Sequence, residues 1–264
     1  MRYKLWASAF LPLLIMLLPI VSSAQPPGQR REPCRIAYSS DAAVEWDCRK
    51  LRPGESLEIV FGDHWINVAR FNRVDRRHVY AGVSIKIPRR IEDLAMWQPM
   101  PPFYAPAESD ERFLLIDLSE QFLGAYEYGA LRFALPLASG SGQDATPVGA
   151  FRLSAAHRRR QSSLFKIEGT DRPYPMNYAL RFHINREGVS YWIHGRDLPG
   201  YPASHGCIGL YDEPMQKEQY GVPKEPELND AKRLFEWVVG GEVEDDRLIP
   251  LPHGPRVHII GQAP

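Results

Sequence analysis

From Phe113 to Leu137 the chain is a succession of short apolar runs broken by turn formers, and that pattern most limits what it can fold into. The runs are Phe113-Leu114-Leu115-Ile116-Asp117-Leu118, Gln121-Phe122-Leu123-Gly124-Ala125-Tyr126 and Leu131-Arg132-Phe133-Ala134-Leu135-Pro136-Leu137, with Tyr128-Gly129 between the last two. Short apolar segments joined by tight turns read as strands of a β-rich domain. Further strands are expected at 150–153, 179–184, 191–194 and 256–260. Residues 230–239 instead carry helical spacing at Ala231, Leu234, Phe235 and Val238, and Gly240-Gly241 offers a glycine stop. The expectation for 113–264 is a mainly β domain with a few helices.

Upstream, Pro88, Pro99, Pro101, Pro102 and Pro106 crowd together with Met100, Phe103 and Tyr104 among them. Proline at that density excludes helix and interior strand, so 89–112 reads as a semi-rigid linker with aromatics available to dock on a domain. In 51–88, Trp65, Val68, Ala69 and Phe71 follow helical spacing while Ile85 and Ile87 alternate as in a strand. A small α+β module follows. A chain of 264 residues has room for one full domain plus such a module.

Arg2 and Lys4 precede an almost unbroken apolar run from Leu5 to Val21, followed by the small residues Ser22-Ser23-Ala24. This is the layout of a secretory signal peptide, and cleavage is expected after Ala24, leaving 25–50 as an N-terminal segment. An uncleaved anchor is the alternative, because the run lies at the lower edge of what spans a bilayer. After signal removal no stable membrane span is expected, and the implied location is the periplasm or cell-wall space. Three cysteines in an oxidising compartment leave one over. Pairing Cys34 with Cys48 would close a short loop, worth about 3 kcal/mol in the chain-entropy estimate. Cys207 would then be the free thiol, a liability in an exported protein unless it does chemistry. Lys+Arg and Asp+Glu balance at 32 each, which excludes the global basic field that draws nucleic acid. The local run His157-Arg158-Arg159-Arg160 reads as a solvated loop, with contact to anionic cell-wall polymers as the alternative.

The chemistry concentrates in Tyr191-Trp192-Ile193-His194-Gly195 and Ser204-His205-Gly206-Cys207-Ile208-Gly209-Leu210. A thiol attacks a carbonyl only as thiolate and needs a base within reach, a part His194 can take. Between them Pro199, Gly200 and Pro202 suit a loop folding back over a site. Gly206 lets backbone approach a substrate, and the N–H groups near Gly206 and Cys207 are candidates for an oxyanion hole. Zinc binding by His194, His205 and Cys207 lacks a fourth ligand in a recognisable motif.

With these segments the chain resembles the L,D-transpeptidase family with the YkuD-type catalytic domain. The resemblance also takes in Gln121-Phe122-Leu123, Ser139-Gly140, Thr146-Pro147-Val148-Gly149-Ala150-Phe151, 176–182 and the helix at 231–239. It implies a YkuD-like β-sandwich, Cys207 as nucleophile and His194 as general base. Gly195, Ser204, His205 and Gly206 would shape the substrate or oxyanion pocket, with His205 a candidate assistant to the relay. Thr146 and Pro147 are read as structural, and Met176, Tyr178 and Phe182 as core or pocket wall. The family carries arginine where this chain has Gly209, and Arg196 or Arg181 are the candidates to substitute. The implied reaction is attack on a diaminopimelate carbonyl of a peptidoglycan stem peptide, loss of terminal D-alanine and transfer of the acyl group to an amine, without a cofactor. The amine would belong to a second stem peptide or to a protein attached to the wall. Water as acceptor would make an L,D-carboxypeptidase or crosslink hydrolase, and a non-catalytic wall-binding protein is the rival from another class. Residues 51–88 resemble a divergent LysM module, which implies contact with glycan strands, against the alternative that they only pack on the catalytic domain.

Overall fold

The computed structural model describes residues 32–244 and 246–264. The expected signal peptide and its cleavage point lie outside these residues. Among the described residues no helix is long and apolar enough to cross a membrane.

The chain starts with a small layer. Strand β1 (Trp46–Lys50) is followed by helices α1 (Leu57–Phe61) and α2 (Trp65–Asn72), and β2 (Ser84–Pro88) pairs antiparallel with β1. Ser56 caps α1 by accepting from the Ile59 N–H at 3.3 Å. The α2 face made by Trp65, Val68, Ala69 and Phe71 is buried, following the helical spacing. Strand β1 lies upstream of residue 51, where the module was expected to begin. Cys34 is disulfide-bonded to Cys48 on that strand.

Two five-stranded sheets make up the rest. The first contains β3 (Phe113–Asp117), β4 (Phe122–Glu127), β5 (Ala130–Pro136), β6 (Gly149–Arg152) and, at the end of the chain, β12 (Arg256–Ile260), in the order β5-β4-β3-β12-β6. The second contains β7 (Ala155–Lys166), β8 (Pro173–Ile184), β9 (Ser190–Arg196), β10 (Ile208–Tyr211) and β11 (Leu248–Pro250), in the order β10-β9-β8-β7-β11. Between β10 and β11 come α3 (Glu213–Tyr220) and α4 (Asp230–Val239). Alternation explains the core: Leu114, Ile116, Leu123, Ala125 and Leu135 of the first sheet join Leu180, Ile193, Ile208 and Leu210 of the second. Ala231, Leu234, Phe235 and Val238 of α4 complete that cluster. The helix ends where Gly240 takes φ 85° and its N–H reaches the Glu236 carbonyl at 2.9 Å. The result is a mainly β fold of two sheets with few helices.

The segment 89–112 is more than a linker. Phe113-Leu114-Leu115-Ile116 is apolar without alternation, so β3 must be buried on both faces. Phe113 and Leu115, on the face away from the second sheet, pack with Met100, Ala107, Phe122 and Tyr126. Covering such side chains is worth about 1.5–3 kcal/mol each. The segment carries short 3-10 turns at Ile91–Ala95 and Ala105–Ala107, the second containing Pro106, and proline does not keep it out of the core. The basic run His157–Arg160 also departs from expectation. It lies inside β7, in register with β8 from His157↔Ala179 to Arg160↔Met176, because β7 and β8 form one long hairpin.

Candidate active site

Strands β9 and β10 run parallel, with His194 opposite Gly209 and Ile193 opposite Ile208. Cys207 immediately precedes β10, so the register carries it to the neighbourhood of Trp192 and His194. The loop between the strands, 197–207, is tied down along its length. Leu198 donates its N–H to Asp75 Oδ2 at 2.6 Å and accepts from the Asp75 N–H at 2.8 Å. Gly200, with φ 89°, has no room for a side chain, since a Cβ would lie 2.6 Å from Pro33. Ser204 donates its N–H to the Ser139 carbonyl at 3.0 Å. Tyr211 places its hydroxyl within 3.1 and 3.0 Å of the Ala69 and Val74 carbonyls. The N-terminal layer thus builds one wall of the site.

The turn before Cys207 is crimped by side chains. Ser204 Oγ donates to the Cys207 carbonyl at 2.5 Å and accepts from the Gly206 N–H at 3.1 Å. Thr146 Oγ1 donates to the Gly206 carbonyl at 3.0 Å and accepts from the Gly140 N–H at 3.0 Å. Gly206 sits at φ 101°, and a Cβ there would lie 2.6 Å from the Tyr191 ring. Both its conformation and its contacts therefore require glycine. With the Gly206 N–H engaged by Ser204, the Cys207 N–H is the backbone donor left at the nucleophile.

His194 is 3% exposed, and its Nδ1 lies 2.8 Å from the Gly195 carbonyl. A carbonyl only accepts, so Nδ1 carries the proton and Nε2 holds the lone pair. Gly195 has no room for a side chain, because a Cβ would meet Asp212 Oδ2 at 2.3 Å. Asp212 in turn caps α3, accepting from the Met215 N–H at 3.1 Å, and receives Asn177 Nδ2 at 3.1 Å. Burial pulls the His194 imidazole down to about 4, against the Gly195 hydrogen bond and with help from Arg196 and Arg160. Burial pushes the Cys207 thiol up, opposed by the Trp192 backbone and by Arg196 and Arg160. The resting pair is therefore neutral thiol and neutral imidazole.

His194 and Cys207 open into one cavity of about 590 Å³. Its walls come from β9, the β7–β8 hairpin, the 197–207 loop, Tyr220 of α3, and Arg77 and His78 of the N-terminal layer. His205 is at the rim, stacked on Phe165 with ring centroids 4.1 Å apart, and this places it against the hairpin. Of the two arginines considered in place of the family residue, Arg196 lines the cavity. A Cβ on Gly209 would lie 2.7–3.1 Å from its side-chain carbons, so the glycine makes room for it. Arg181 faces Ser154 and the Trp192 ring, with Nε 3.0 Å from Ser154 Oγ. Met176 and Trp192 pack beside Cys207, whereas Phe182 and Tyr178 belong to the inter-sheet core. Cys207 is the free thiol.

Sequence reasoning passed over Asp75, Asp212, Arg160 and Phe165. Asp212 had a signal, as an acidic residue one position ahead of Glu213-Pro214 marks a helix start. Asp75 and Arg160 had none, since their partners are far away in the chain.

A model of the YkuD family, described as the L,D-transpeptidase catalytic domain, matches residues 111–259. No curated protein matches this sequence. Solved structures similar to it include the L,D-transpeptidase (residues 123–326) from Xylanimonas cellulosilytica, 19% identical, with 80% of this chain and 98% of that one covered and a TM-score of 0.45. An L,D-transpeptidase from Stackebrandtia nassauensis is 20% identical over 59% of this chain and 58% of its own, with a TM-score of 0.39. L,D-transpeptidase 1 of Mycobacterium tuberculosis is 17% identical over 57% and 62%, with a TM-score of 0.36. The chain thus spans less than two thirds of the length of these last two. The family match covers more than half of the 264 residues and includes both His194 and Cys207, and the chain belongs to the YkuD family of L,D-transpeptidase catalytic domains.

Proposed function

We propose that this protein is an exported L,D-transpeptidase that crosslinks peptidoglycan through a thioester on Cys207. The observation that carries the reading is a free thiol and an oriented, neutral imidazole opening into one cavity. His194 Nε2 takes the Cys207 proton as sulfur attacks the diaminopimelate carbonyl of a donor stem peptide. The Cys207 N–H faces the oxygen that becomes negative, an interaction worth about 100-fold or more in rate. Collapse expels the terminal D-alanine, whose amine receives the proton from His194. An imidazolium in so buried a position gives up its proton readily, which suits the second half of the step. An acceptor amine then attacks the thioester, His194 removes its proton, and the thiol leaves reprotonated. Water in place of the amine would yield carboxypeptidase or hydrolase products.

The order β1-α1-α2-β2 supports a LysM-like unit able to hold glycan. The bonds of Asp75 and Tyr211 give the same region a second task, fixing the catalytic loop.

Intact mass spectrometry after incubation with a carbapenem and with tetrapeptide muropeptides tests the reading. A covalent adduct on the wild type and none on Cys207→Ala, with crosslinked or shortened muropeptides, is the expected result. Absence of both adduct and turnover would favour a wall-binding protein, which pull-down of insoluble peptidoglycan by Cys207→Ala would then report.

A further inference from the structure

Beside Cys207 the cavity wall holds an electrostatic demand that the protein does not meet. Arg160 on β7 and Arg196 at the end of β9 both line it. Neither guanidinium has an ion-pair partner among the described residues. The Nε of each is buried without a hydrogen-bond acceptor. Arg160 lies over the Trp192 ring, 4.6 Å from its centroid, and Arg196 donates from Nη2 to the Ala203 carbonyl at 2.5 Å. These contacts hold the two groups in place; Asp197 attracts Arg196 at longer range, and neither guanidinium closes an ion pair.

The acids nearby close no ion pair with either guanidinium among the described residues. Asp197 pairs with Arg77 at 3.5 Å and lies 3.4 Å from the hydroxyls of Tyr174 and Tyr220. Glu168 and Glu187 are exposed at the rim. Half-buried cations facing a cavity without a counter-charge cost stability unless an anion arrives with a ligand. A planar guanidinium is matched to one anion above others, a carboxylate bound through two N–H donors. The room for this arrangement is made by Gly209, over which the Arg196 stem runs.

We propose that Arg160 and Arg196 form a paired-guanidinium site that binds a free carboxylate of the donor peptide beside Cys207. The enzyme then selects donors whose carboxylate is unmodified over donors in which it is an amide. The inference rests on the acyl-donor reading above and adds to it a residue-level basis for substrate choice. A stem peptide offers the carboxylate from three sources, its terminal residue, the diaminopimelate side chain and the α-carboxyl of the γ-linked glutamate.

Two experiments separate this proposal from the reading beneath it. In the first, kcat/KM is measured with a tetrapeptide donor and with the same donor amidated in turn at its C-terminus, on diaminopimelate and on the glutamate α-carboxyl. The wild type prefers the free acid to one of the amides, which identifies the carboxylate that is read. In Arg160→Gln and Arg196→Gln that preference falls about tenfold, the size of one charge-assisted hydrogen-bonded contact. The second experiment needs no peptidoglycan chemistry: Cys207 is alkylated with anionic iodoacetate and with neutral iodoacetamide. The ratio of the two rate constants cancels the thiolate fraction and reports attraction for a carboxylate at the sulfur. It falls about fivefold in each variant, as expected for removing one nearby charge. A folded Gln variant with unchanged alkylation ratio and unchanged acid-to-amide preference overturns the proposal, even if transpeptidation is intact. A lowered alkylation ratio in an enzyme that turns over no stem peptide keeps the anion site and removes the transpeptidase reading instead. If a Gln variant fails to melt cooperatively, Arg160→Lys and Arg196→Lys replace it. They keep the charge and the alkylation ratio while losing the planar fork and the acid preference.

Discussion

Two walls of the cavity, the N-terminal layer and the β7–β8 hairpin, are built in opposite ways. On the N-terminal side, Arg73 is fully buried and meets Asp41 at 2.7 Å and Glu120 at 3.5 Å, and Lys86 is ion-paired to the same Asp41. Asp75, also fully buried, accepts from the Leu198 N–H and from Gln216 Nε2, both at 2.6 Å. On the other side the β7–β8 hairpin crosses the cavity with Leu164 65% and Phe165 42% exposed, and the register slips between Gln161 and Lys166. It meets the 197–207 loop through the Phe165–His205 stack and the Tyr174 hydroxyl beside Asp197. A wall tied by buried charge holds the thiol in position, whereas an exposed apolar wall can adjust to a substrate. The same division explains why the N-terminal layer reads as a separate module in sequence and yet works as part of the catalytic unit.

The sharpest way to break this contrast is to cut the charge network. Arg73→Leu leaves Glu120 short of its buried partner and is expected to lose about 3–5 kcal/mol of unfolding free energy in urea titration. An unchanged midpoint would mean that the N-terminal wall is not held by charge.

Between the walls, burial of His194 sets an acid limit. Its folded value of about 4 lies below the ordinary histidine value of 6.5 that holds in the unfolded chain, so the unfolded state takes up the proton first as pH falls. The stability from the neutral imidazole is fully present above about 6.5 and is lost progressively down to about 4. The difference in stability between wild type and His194→Asn should therefore shift by about 3 kcal/mol across that window. Denaturant titrations at several pH values check it, and a constant difference would show an imidazole less buried than described.

Asp75→Ala unties the catalytic loop from the N-terminal layer. A loss of about 2 kcal/mol is expected, together with slower single-turnover acylation of Cys207. Phe165→Ala, on the exposed wall, should change stability by no more than about 0.5 kcal/mol while raising KM for the donor several-fold. Calorimetry with steady-state kinetics on both variants sharpens the comparison, and a large stability loss for Phe165→Ala would reverse it.

Much of this molecule was legible in its sequence because local periodicity reports which face of an element is buried. The helix at 230–239 with its glycine stop, the strand at 256–260 and the runs that became β3, β4 and β5 all follow from spacing. The thiol and imidazole stand out because few residue pairs can carry nucleophilic chemistry, and because glycines and prolines mark the loop between them. Periodicity does not say what covers a buried face. Phe113 and Leu115 announce a second cover for β3, but only the fold identifies it as the proline-rich segment containing Met100 and Ala107. Likewise Arg160 looks like one member of a solvated basic run until β7 pairs with β8 and brings it to the cavity. Asp75 gains its meaning from Leu198 and Gln216, and Arg73 from Asp41 and Glu120. The sequence by itself determined the strand-rich class, many of its elements and the candidate thiol and imidazole. Only the tertiary structure decided which charges are buried together and which walls enclose the thiol, because those depend on groups that meet only once the chain has closed on itself.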